Sequence, residues 1–94
     1  MDKDEASLVI RRELVPYRAK AHADLLRLVE DSQNYEVSAP SGKTYGVKIF
    51  GIMDDEQHGH LRVIGLIDDG GWWTMFAPLS EDFIMRPDGS FVDE

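Results

Sequence analysis

The run Thr44-Tyr45-Gly46-Val47-Lys48-Ile49-Phe50-Gly51-Ile52-Met53, answered after a polar stretch by Leu61-Arg62-Val63-Ile64-Gly65-Leu66-Ile67-Asp68, decides the fold. Successive side chains of an extended strand point to opposite faces, so each run divides into two sets. One set, Tyr45, Val47, Ile49, Met53, Leu61, Val63 and Ile67, is apolar throughout and reads as the face turned toward a core. The other mixes Lys48 and Arg62 with Phe50, Ile52, Ile64 and Leu66, which is more apolar than a solvated sheet face usually is. Gly51 and Gly65 are candidate bulges, and a bulge would shift the register and exchange parts of these sets.

Outward from this pair, alternation predicts strands over residues 35–39, 72–77, 83–86 and 91–92. Trp72 and Phe76 join the face of Phe50, while Trp73 and Met75 join the core face. Residues 40–43, 54–59, 68–71, 78–82 and 87–89 carry the Gly, Pro, Asp and Ser of turns, and connections this short join antiparallel neighbours. Before the strands, Leu14, Arg18, Ala21, Leu25, Leu28 and Val29 recur at mostly helical spacing, and residues 6–31 read as helix, kinked or broken near Val15 by Pro16. Asn34 is the expected left-handed terminator. The expected architecture is one α+β domain over residues 1–94, with a helix across one face of an antiparallel meander of five to six strands spanning 35–92.

Composition bounds the function. A chain of 94 residues with 43% hydrophobic side chains supports a single core, and 30% charged residues favour solubility without moving it into the disordered class, which combines high charge with low hydrophobicity. The formal net charge of -8 opposes phosphate backbones and anionic lipid, so neither nucleic acid nor a membrane is expected as a partner. Without cysteine there is no disulfide, thiolate metal site or thiol nucleophile. No leader-like pattern and no bilayer-length apolar run is present, which makes the cytoplasm the expected compartment.

The negative charge is unevenly placed. Residues 34–94 hold eleven Asp or Glu against four Lys or Arg, and ten of those acids fall in apparent connections or at the end. Because successive turns of a meander alternate between the two ends of its sheet, Asp54, Asp55, Glu56, Glu81 and Asp82 are expected to converge with His58 and His60 on one acidic rim. Such a rim would attract cations or a basic partner and favour the charged form of the histidines.

Motifs of established chemistry fail at their defining positions. The segment ending Ser41-Gly42-Lys43-Thr44 resembles a phosphate-binding loop, but its first glycine is replaced by Val37 and a strand follows where a helix is needed. Asp54, Glu56, His58 and Gly59 match the start of a calcium loop, but Gly65 stands where a bidentate Glu belongs. His58 and His60 are the weak metal candidates that remain, in a spacing that fits no standard framework. His22 and Asp24, two apart on a helix, do not face each other, and no serine sits in a nucleophile elbow. No catalytic residue, metal or cofactor is expected.

The run Asp68-Asp69-Gly70-Gly71-Trp72, with Phe76-Ala77-Pro78-Leu79 and Phe83-Ile84-Met85-Arg86-Pro87-Asp88-Gly89-Ser90-Phe91-Val92, resembles the ending of small bacterial proteins of uncharacterised function. The resemblance covers about a quarter of the chain, is carried largely by hairpin chemistry, and implies no activity. The functional expectation therefore rests on surfaces. It is a non-catalytic module that self-associates as a homodimer, or docks a protein partner, through Phe50, Ile52, Ile64, Leu66, Trp72 and Phe76. Its rivals are an acidic inhibitor or immunity-type protein covering a basic site on a toxin or nuclease, and a small metal-dependent enzyme built on the loop at 54–60.

Overall fold

The computed structural model describes residues 2–70 and 79–93. Helix α1 (Lys3–Arg18) is opened by Asp2, whose carboxylate accepts the Glu5 backbone N–H at 3.0 Å and so satisfies one of the donors that a first turn leaves unpaired. Ala6, Val9, Ile10 and Leu14 are its buried residues, a single stripe at helical spacing. Pro16 lies inside the helix rather than at a break. In the last turn a proline removes only one backbone bond, and α1 ends two residues later. The chain then breaks at 19–21 and continues as α2 (His22–Leu25) and a 3₁₀ turn (Leu26–Val29). The break and the tighter winding reset the phase, so Leu25 and Leu28 are buried while Ala21 and Val29, expected on the same stripe, are exposed.

Four antiparallel strands follow in sequence order: β1 (Gln33–Ser38), β2 (Thr44–Asp55), β3 (His60–Asp68) and β4 (Leu79–Met85). The described residues thus hold four strands instead of five to six. The strand expected at 72–77 lies outside them, and in place of a strand at 91–92 Phe91 makes an isolated bridge to Met85. Asn34 is paired with Lys48 inside β1 and is not left-handed. Leu79 to Asp82, expected as a turn, form the first half of β4. Between β1 and β2 the turn closes with Ala39 N–H donating to Lys43 O and Gly42 N–H to Ala39 O, both at 2.8 Å, and Gly42 takes the positive φ of 89° that this turn needs.

The register runs unbroken through both strand glycines, with Ile49 opposite Gly65 and Gly51 opposite Val63. They are therefore not bulges; the one shift in this pair lies between Met53 and Asp55, at the loop. Both glycines point to the core face, where they let the helical layer come close. A β-carbon on Gly65 would stand 2.8 Å from Ile10 Cδ1, and one on Gly51 would stand 3.4 Å from the Val29 backbone nitrogen. The α1 helix lies over β3 and β4, and the 3₁₀ turn over β2. Tyr45, Val47, Ile49, Leu61, Val63, Ile67, Phe83 and Met85 meet the helical residues in one buried core, as the alternation predicts for the first six. At its edge Phe83 and Phe91 pack edge to face at 5.6 Å, with the Arg18 guanidinium 4.9 Å and 5.2 Å from their ring centres. No helix among the described residues is long and apolar enough to cross a membrane.

Candidate interaction face

Pairing fixes what stands on the side of the sheet away from the helices. Row by row across β2, β3 and β4 it carries Lys48, Leu66 and Ser80; then Phe50, Ile64 and Asp82; then Ile52, Arg62 and Ile84. Phe50, Ile64, Leu66 and Ile84 are half-buried and Ile52 is 43% exposed. All three helical pieces lie on the other side, so among the described residues no helix covers this face. Of the six residues read from the sequence, the structure brings Phe50, Ile52, Ile64 and Leu66 together, whereas Trp72 and Phe76 lie outside the described residues. Ile84 is the member that alternation could have added, because Phe83 and Met85 on either side of it face the core.

Within this apolar field stands one charged constellation. Arg62 donates from Nε to Asp54 Oδ1 at 2.9 Å, approaches the same oxygen with Nη2 at 2.8 Å, and donates from Nη1 to Asp82. The hydrogen bonds to Asp54 and then Asp82 hold the guanidinium proton more firmly than usual. Two carboxylates on one guanidinium leave one net negative charge. Lys48, at the other end of the patch, lies 5.6 Å from the centre of the Phe50 ring, and no carboxylate among the described residues pairs with it.

The five acids expected on one rim are thereby dispersed. Asp54 and Asp82 meet on Arg62, while Glu81, on the opposite face of β4, accepts from Arg11 Nε of α1 at 3.1 Å. Asp55 closes β2, accepting the His58 backbone N–H at 3.2 Å and lying 2.7 Å from its ring Nδ1; the ring contact, above all, holds the Asp55 carboxyl below its usual range. Glu56 is exposed. His58 and His60 come within 5.8 Å ring to ring, but no three His, Asp or Glu among the described residues converge as a metal site. His22, unremarkable in the sequence, donates from Nε2 to the carbonyl of Gly59 at 2.7 Å and ties α2 to this loop.

Two open clefts lie elsewhere among the described residues. One of about 500 Å³ lies between the end of α1, α2 and the start of β1, with Tyr17, Lys20, Asp24 and Arg27 in its walls. The other, of about 490 Å³, is framed by the first turns of α1 and Pro40. No histidine or serine is among the described residues lining either. No family model, no curated protein and no solved structure matches this chain.

Proposed function

We propose that this protein is a non-catalytic interaction module that self-associates through the open face of its sheet. One observation carries the reading: Phe50 and Ile64 form a cross-strand apolar pair at the centre of that face, flanked by Ile52, Leu66 and Ile84, with no described helix over them. A contiguous apolar patch on a sheet is costly to leave in water and marks an interaction site. Burying it between two copies would remove on the order of 1,200 to 2,000 Å² of total surface, enough for a stable pair. The acidic-inhibitor reading draws less support, because Arg11 and Arg62 of the same chain offset much of the charge of Glu81, Asp54 and Asp82 and leave that group only one net negative charge.

Sedimentation of the parent and of an Ile64→Asp variant tests the proposal. The parent is expected to sediment as a dimer at micromolar concentration and the variant as a folded monomer. A monomeric parent overturns the reading.

A further inference from the structure

The distribution of charge along β2 repeats itself in reverse. On the open face the strand reads Lys48, Phe50, Ile52, Asp54, a cation and an anion at the ends with two apolar residues between. A two-fold axis lying between two stacked sheets, across the strands at the level of Gly51, carries position 48 onto 54 and position 50 onto 52 of the second copy. Each terminal charge then meets its opposite, and each apolar residue meets the other. On β3 the same axis passes at Val63, the pairing partner of Gly51, and sets Ile64 against the aliphatic stem of Arg62.

We infer that the occupant of the open face is a second copy of this chain, laid antiparallel by a two-fold axis at Gly51 so that Lys48 of each copy pairs with Asp54 of the other. This rests on the self-association proposed above and adds its register. The ends are chemically prepared for it: Lys48 has no carboxylate partner among the described residues, and the group of Asp54, Arg62 and Asp82 carries one net negative charge. Arg62 enters the interface already met by two carboxylates, which lowers the cost of drying it. The span is compatible with sheet geometry. Lys48 and Asp54 lie about 20 Å apart along an extended strand. The roughly 30° angle of aligned sheets offsets each end by only about 5 Å, within the combined reach of a lysine and an aspartate. Because each chain has a net charge of -8, the copies repel at long range, and this local pairing is what selects one register over its neighbours.

The test is a pair of charge reversals. Lys48→Glu and Asp54→Lys each place like charges at both ends of a homodimer, whereas a mixed pair of the two variants restores opposite charges at both ends. Each variant alone is expected to associate at least roughly tenfold more weakly than the parent, and an equimolar mixture is expected to recover the heterodimer, read by sedimentation and native mass spectrometry. Lys20→Glu, which brings the same net charge as Lys48→Glu from outside the face, is expected to leave association within about twofold of the parent after screening by salt. A parent dimer with no recovery on mixing overturns this register while leaving the use of the face intact; a monomeric parent overturns both. Should a variant fail to fold, carbodiimide coupling of mixed isotope-labelled and unlabelled parent decides. An amide between Lys48 of one copy and Asp54 of another is expected, and a dimer that couples elsewhere but never there overturns the inference.

Discussion

Ile10 Cδ1 rests against Gly65 so closely that a β-carbon on the glycine would stand 2.8 Å away, with Ile49 Cδ1 at 3.2 Å on the other side. Both isoleucines are fully buried, so neither can swing into solvent to make room. Gly65→Ala is expected to cost about 1 to 3 kcal/mol by overpacking, measured by urea denaturation. On an Ile10→Val background, which removes the nearest atom, the same change is expected to cost less; strict additivity would show that the contact does not set the spacing of the layers.

Leu25 is 1% exposed and joins the helical layer to the sheet. Replacing it by Ala is expected to lower stability by about 2 to 5 kcal/mol. A loss under about 0.5 kcal/mol, the range of surface positions, would mean that α2 does not hold this place in solution.

Tyr45 is buried and donates its hydroxyl to Glu5 at 2.9 Å, and burial first, then Glu5, pushes the phenol up to about 12. A pKa raised in the folded chain contributes stability that is complete below the ordinary value of 10.0 and is lost as pH rises toward about 12. Tyr45→Phe is expected to cost about 1 kcal/mol near neutrality. Its alkaline decline is expected to be shallower than the parent's, and parallel declines in urea titrations between the ordinary value of 10.0 and about 12 would contradict the assignment.

Asp55 is the acid-side counterpart. Its lowered pKa, caused first by the hydrogen bond with the His58 side chain, gives a contribution present above the usual carboxylate range and lost as pH falls through the lowered value. In His58→Ala the Asp55 carboxyl is expected to titrate closer to the ordinary 3.8, followed by carboxyl carbon NMR. An unmoved titration would remove His58 as the cause.

The two faces of β2 and β3 were legible because alternation there is long and consistent, and Tyr45, Val47, Ile49, Leu61, Val63 and Ile67 are all buried. Other features depended on partners that no local pattern contains. Leu79-Ser80-Glu81-Asp82 reads as a turn by composition, yet it is a strand whose acids are answered from α1 by Arg11 and from β3 by Arg62. Gly51 and Gly65 signal an irregularity in any strand, but whether that is a bulge or a close approach is decided by what lies above them. Pro16 marks the end of a helix correctly and its position poorly, because one lost bond near the terminus is tolerated. On the candidate face, Ile84 follows from local alternation with Phe83 and Met85, while the clamp on Arg62 requires knowing that 54, 62 and 82 become neighbours.

The α1 helix precedes every strand of the sheet, yet β3 and β4, on which it mainly rests, are the last strands of the described chain. At a synthesis rate of about 5 to 20 residues per second, the stripe of Ala6, Val9, Ile10 and Leu14 leaves the ribosome seconds before Phe83 and Met85 exist to receive it. The strand order lets the sheet grow hairpin by hairpin toward β4, since β2, β3 and β4 each pair with their immediate predecessor. The helix waits. Until β4 is made, its apolar side has only part of its receiving surface, and this polar, easily overlooked strand is the piece that completes its burial.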